Sequence, residues 1–169
     1  MSDSIVFTLE IFGDTDIQKA VDHFLYLCSH IQYDLLKSEI LCRGGVSFGD
    51  FEEITEENIT YFYSKAYIKA VSLEKVVNYP IIAIEDELII SISHDLLQKH
   101  LVKDKFNNYF LNFLQFSDDD MLIKAKQYVN RNKLDSKIST NRNVLSKYQW
   151  LESYVNWTFS KCVNIFDYI

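Results

Sequence analysis

Arg43-Gly44-Gly45-Val46-Ser47-Phe48-Gly49-Asp50 is the stretch whose residue types and spacing first point to chemistry. Three of the chain's four glycines fall within these eight residues. Glycine weakens a strand interior, so a pair there marks the close approach of another backbone or of a ligand. The arginine directly before the pair adds a fixed, always-charged fork of donors suited to phosphate or carboxylate. The plainer reading is a strand ending in a tight turn, with Arg43 in a surface ion pair. Carboxylates are the second candidate group. Glu52-Glu53-Ile54-Thr55-Glu56-Glu57-Asn58 reads most simply as the solvated loop of a hairpin, with a metal-binding cluster as the lesser alternative. His23 and His30 lie seven apart on one predicted helix, whereas metal-binding pairs on a helix face sit three or four apart. Both read as ordinary helix histidines.

The whole chain narrows the setting. Its 169 residues suit one domain that buries about 70% of its unfolded surface. A formal charge of −7 and a pI near 5.0 disfavour nucleic acid and anionic lipid as partners. A single nucleotide held by a local arginine and metal ions stays open. Cys28, Cys42 and Cys162 show no zinc-like pairing, and their odd number fits reduced thiols. There is no secretory pattern at the N-terminus, and no apolar run approaches the roughly 18 residues that span a bilayer. The expected location is the cytoplasm, with no membrane contact.

The elements that must position these residues follow from periodicity. Ile5 to Phe12 is β-branched and aromatic and reads as a strand. Thr15-Asp16-Ile17-Gln18 has capping-box spacing, and Ile17, Ala20, Val21, Phe24, Cys28, Ile31 and Leu35 form a helical stripe after it. Ile40–Ser47 reads as the second strand and Ile59–Tyr63 as the third. Ala66, Ala70, Leu73 and Val77 predict a helix whose small residues suit close packing on a sheet, ended by Asn78 and Pro80. Ile81–Ile84 reads as a strand. Asp86–His100 is ambiguous, with a helix expected in its second half, and Phe106–Phe113 reads as a further strand. Ser117-Asp118 can cap a helix carrying Leu122, Ala125 and Val129, and Val144, Tyr148, Leu151, Val155 and Phe159 line another. Trp150 and Trp157 share a face of that last helix, a spacing that serves packing. The order predicts an α+β sandwich with an antiparallel or mixed sheet. Its expected division is a core over 1–115 and a helical C-terminal extension over 116–169.

Taken together, Ser2-Asp3-Ser4-Ile5-Val6, Arg43-Gly44-Gly45, Ala70-Val71-Ser72-Leu73-Glu74, Tyr79-Pro80 and Tyr148-Gln149-Trp150-Leu151 resemble the class III nucleotidyl cyclase-like proteins of bacteria. The nearest group is the Pycsar-type cyclic-pyrimidine cyclases of antiphage signalling. The short motifs are spread through nearly all of the chain. The resemblance implies a ferredoxin-like sheet and a homodimer with active sites near the subunit interface. It also implies a pyrimidine nucleoside triphosphate as substrate, cyclic UMP or cyclic CMP as product, and a separate effector that reads it. In such a reaction the ribose 3′-oxygen attacks the α-phosphorus and expels pyrophosphate, with Mn²⁺ or Mg²⁺ held by two aspartates. By resemblance Asp3 is one metal ligand, and Arg43 is catalytic, meeting the phosphates or holding Asp3. Ser4, Arg43, Gly44 and Gly45 would bind the substrate. Glu74 matches a family glutamate and reads better as a structural ion pair. Without the resemblance, Asp3 is a polar residue at a frayed terminus.

The sequence also departs from that pattern. The strand bearing the other metal aspartate would lie upstream of Met1. Tyr63-Ser64 stands where many relatives have Phe-Gly, Ile81 where they commonly have arginine, and Ser72 where better-known cyclases have a transition-state arginine. In the family sheet the upstream strand sits between the one beginning near Asp3 and the one holding Arg43. Those two would therefore expose backbone groups unless they pair directly or another chain fills the gap. Two functions follow as expectations. One is a nucleotidyl cyclase, and the other is a catalytically degenerate relative acting as a nucleotide-binding or subunit-interaction module. A plain helical interaction protein is a third, supported only by the aromatic C-terminal helices.

Overall fold

The computed structural model describes residues 5–12, 16–56, 59–104 and 108–160. They form an α+β fold of seven helices, a four-stranded mixed sheet and a separate two-stranded antiparallel sheet. Helix α1 (Ile17–Lys37) starts at Asp16, whose carboxylate accepts from the Gln18 amide at 3.0 Å and the Lys19 amide at 3.3 Å. Asp16 is thus the cap in place of the expected Thr15, which lies outside the described residues. Gln18 is thereby free to bond across to the Ser91 carbonyl and the Ser93 amide. The helix closes through Glu39 in the left-handed region (φ 61°), with Glu39 N–H on Leu36 O and Ile40 N–H on Leu35 O. That closure takes Ile40 out of the expected second strand, which shrinks to β1 (Gly44–Val46).

Strands β2 (Phe51–Glu56) and β3 (Ile59–Ser64) pair in antiparallel register from Phe51↔Ser64 to Glu56↔Ile59. The loop expected over 52–58 is therefore strand as far as Glu56, because pairing along all of β3 outweighs the poor strand propensity of glutamate. Residues 57–58 lie outside the described ones. Helix α2 (Lys65–Val76) follows at once, capped by the Ser64 hydroxyl, which accepts from the Tyr67 amide at 3.1 Å. Beyond Pro80 come β4 (Ile82–Ile84) and two short helices where the pattern was ambiguous, α3 (Asp86–Ser91) and α4 (His94–His100). Next are β5 (Leu101–Lys103), β6 (Tyr109–Leu111) and a 3-10 turn over Phe113–Phe116. The chain then forms α5 (Asp119–Leu134), α6 (Ser136–Ser139) and α7 (Arg142–Ser160).

The larger sheet runs β1-β4-β6-β5, with β1 and β4 parallel and the other pairs antiparallel. Ile5–Phe12 has no regular structure and joins neither sheet, contrary to the expected first strand. Its β-branched and aromatic residues fit a pleated surface, but a strand also needs a neighbour for its backbone groups. It does not pair with β1.

Register puts Gly45, Ala83, Phe110 and Val102 on one face of the sheet and Val46, Ile84, Leu111 and Leu101 on the other. The first face meets the C-terminal helices. Phe110 packs edge-on against Trp150 and Tyr154 of α7, in one cluster with Leu122, Ala125 and Val129 of α5. Trp150 stacks on Tyr79 and Trp157 on Tyr154, so both tryptophans pack within the chain, while Phe159 at the end of the stripe is exposed. The second face meets Val21 and Leu25 of α1, Leu88 of α3 and Leu96 of α4. Among the described residues no helix is long and apolar enough to cross a membrane.

Candidate functional site

β1 lies at the edge of its sheet, with β4 on one side and no described strand on the other. Gly44 N–H donates to Ile81 O at 3.0 Å, and Val46 O accepts from Glu85 N–H at 2.9 Å. Phe48 N–H donates to the Glu85 carboxylate at 3.1 Å. Positions 44, 46 and 48 thus turn their backbone groups toward β4. The period of two turns those of 43, 45 and 47 to the open edge.

Arg43 is placed just ahead of β1 and opposite α2. Its Nε donates to Glu74 Oε1 at 3.1 Å, and its Nη1 makes a longer bond to the Val77 carbonyl at 3.4 Å. The two side chains are 41% and 33% exposed, so this is a half-solvated ion pair joining strand to helix. It matches the structural role read for Glu74. Gly45 faces the same helix. A Cβ there would lie 2.3 Å from the Ala70 carbonyl oxygen and 2.8 Å from Leu73 Cβ, so the close backbone at this glycine is α2 itself. The small-residue stripe expected at Ala66 and Ala70 makes that approach, and the Ser47 hydroxyl bonds to the Ala66 carbonyl. Gly44 is different: a Cβ would meet only Ile82 side-chain atoms at an ordinary 3.6 Å. Arg43 and Gly45 therefore both meet α2 while Gly44 meets Ile82, and Asp3 and Ser4 lie outside the described residues.

The described residues do not by themselves fit a two-metal centre. No group of three or more metal-ligating side chains occurs among them, and Glu74, the carboxylate beside Arg43, is engaged by the guanidinium. Burial pushes the Cys28 thiol up to about 11 and raises Cys42 as well, so neither is a ready thiolate.

Three groupings had no signal in local sequence. At the other end of β1, Lys69 Nζ bridges Glu85 at 2.5 Å and Glu87 at 2.6 Å, which raises the lysine's pKa. Under the sheet, Asp22 of α1 accepts from Lys99 at 2.7 Å and lies 2.5 Å from Nε2 of the buried His100. The Lys99 bond first, then His100, holds its carboxyl below the usual range. His100 Nδ1 is buried with no partner among the described residues. Finally, a groove of about 700 Å³ separates α1 from α5, with Tyr33, Met121, Lys124 and Tyr128 in its walls. Two cations of its rim are already paired, Lys37 with Asp34 and Arg131 with Glu39. Comparison with protein-family models, curated proteins and solved structures finds no match to the chain.

Proposed function

We propose that this is a nucleotidyl cyclase-like protein of the cytoplasm that acts as a subunit-interaction and nucleotide-binding module and does not turn over a triphosphate on its own. One observation carries the reading: among the described residues no strand flanks the outer edge of β1, where the Arg43 guanidinium is tied to Glu74 and α2 fills the gap at Gly45. Exposed apolar side chains on α2, which packs against β1, and on the hairpin support it. Tyr67, Ile68 and Val76 of α2 and Ile54, Ile59 and Tyr63 of the hairpin are exposed, and α2 buries none of its residues. A homodimer is the simplest assembly to cover them, and the acidic charge argues against nucleic acid as partner. Two measurements test this together. Sedimentation should show a dimer or larger assembly, and incubation with UTP, CTP, ATP or GTP and Mn²⁺ should yield no cyclic nucleotide. Robust metal-dependent cyclisation by these 169 residues overturns the reading.

The second reading is the cyclase proper, making cyclic UMP or cyclic CMP with Mn²⁺ or Mg²⁺ at Asp3 and signalling to a separate effector. Arg43 favours it in one respect. Its Nη2 has no partner among the described residues and can still meet a phosphate oxygen.

A further inference from the structure

Helix α2 and the β2–β3 hairpin leave exposed faces that match each other in spacing and in charge. Register puts Glu52, Ile54, Glu56, Ile59 and Tyr63 on one face of the hairpin, and all five are exposed. On α2, Lys65, Ile68, Ser72, Lys75 and Val76 share one exposed stripe, with Ile68 57% and Val76 79% accessible. Glu52 and Glu56 lie about 13 Å apart along their strand. Lys65 and Lys75 lie about 15 Å apart along their helix. Two glutamates thus bracket Ile54 over nearly the same length that two lysines bracket Ile68 and Ser72. We propose that the α2 face of one copy packs on the hairpin face of a second copy, and reciprocally, to form a two-fold dimer. The inference rests on the subunit-interaction reading and names its partner and its surface.

The occupant follows from the charges this chain leaves unpaired. The other charged side chains of α2 are engaged within the fold, Lys69 by Glu85 and Glu87, and Glu74 by Arg43. Glu52, Glu56 and Lys75 have no ion-pair partner among the described residues, and Lys65 meets only the exposed Asp50 at 3.7 Å. The hairpin is a two-stranded sheet by itself, a unit at best marginally stable in water, so a packed partner stabilises it. Both faces belong to described elements and remain exposed, so neither covers the other within one chain. No stretch outside the described residues carries more than one lysine or arginine, so none can offer a cation to both glutamates. A second copy offers two, and a two-fold contact gives each copy's helix to the other's hairpin. Burial of Ile54, Ile59, Ile68 and Val76 supplies the attraction, and the lysine–glutamate pairs set partner and register.

The test uses two full-length variants, Glu52→Lys with Glu56→Lys, and Lys65→Glu with Lys75→Glu. Alone, each should sediment as a monomer where wild type is a dimer, because every contact then sets like charges opposite each other. Mixed in equal amounts, with one variant isotopically heavy, they should give a dimer of one copy of each in native mass spectrometry. A chain bearing all four reversals should dimerise by itself. The four positions are exposed, so circular dichroism should stay that of wild type throughout. Double variants that remain dimeric, or a mixture and a four-fold variant that both stay monomeric, overturn this contact but leave the subunit-interaction reading intact. A wild-type protein that sediments as a monomer overturns both.

Discussion

Gly45 and Gly44 are neighbours with opposite reasons for being glycine. A methyl at Gly45 meets a helix carbonyl at 2.3 Å and a Cβ at 2.8 Å, neither of which is the end of a flexible side chain. Overpacking of this kind costs about 1–3 kcal/mol, so Gly45→Ala should lower the urea midpoint clearly. Gly44→Ala meets only ordinary contact with Ile82 and should stay within about 0.5 kcal/mol of wild type. Equal losses at both positions would contradict the helix contact as the cause. Arg43 gives the matching test of function. A half-exposed ion pair contributes about 0.2–1 kcal/mol, so a double-mutant cycle of Arg43→Ala with Glu74→Ala should return a coupling in that range. If Arg43 also meets a nucleotide, its removal weakens triphosphate binding in calorimetry while the melting temperature barely moves. A large loss of melting temperature with binding unchanged makes the residue purely structural. The sequence pointed to all three residues but not to the partner that explains the glycine, because Ala70 comes close only after α2 folds back over β1.

At the scale of elements, helices were easier to read than strands because their signal is local. The α5 and α7 stripes reappear almost residue for residue, and Asp118 caps α5 as its position predicts, accepting from the Met121 amide at 2.8 Å. In α1 the stripe is rotated: Leu25, Cys28, Gln32 and Leu36 are buried, while Ile17 is exposed. Strand extents depend on partners far along the chain. Ile5–Phe12 has a strand's composition but joins neither sheet, and Phe51–Glu56 has a loop's composition and pairs with β3. The latch between α1 and α4 shows the same limit, since Asp22 and His100 are 78 positions apart. Its effect should be visible in acid. Asp22 titrates lower in the folded protein than in the unfolded chain, so its contribution is present above the unfolded value of about 3.9 and fades as pH falls through the lower folded value. Asp22→Asn should therefore cost stability at pH 7, and the gap to wild type should narrow as acid denaturation approaches pH 3. A gap that widens below pH 4 would have the wrong sign for this latch.

For the whole molecule, the question is whether a sheet with an apolar cluster on each face behaves as one cooperative unit. Leu25 of α1 and Leu151 of α7 are both completely buried, one on each side of the sheet. The clusters are linked through the sheet, because successive residues of one strand, Phe110 and Leu111, serve opposite faces. They are linked again through α1, which supplies Val21, Leu25 and Cys28 to one cluster and Leu36 to the other. The polar residues between them, Ser29 and Gln32, are buried as well, with Gln32 donating to the Pro80 carbonyl at 3.0 Å. Leu25→Ala and Leu151→Ala should each cost about 2–5 kcal/mol, the usual toll of a buried leucine with its cavity. If the faces are coupled, both variants move one shared transition, with far-ultraviolet dichroism and tryptophan fluorescence changing together. If the helices beyond residue 116 form a separable layer, Leu151→Ala shifts an early fluorescence transition reporting Trp150 and Trp157, and the dichroism of the remainder follows later. The edge-on packing of Phe110 against Trp150 and Tyr154, each at 5.4 Å between ring centres, ties α7 directly to the middle of the sheet. On that packing the single shared transition is the expected result.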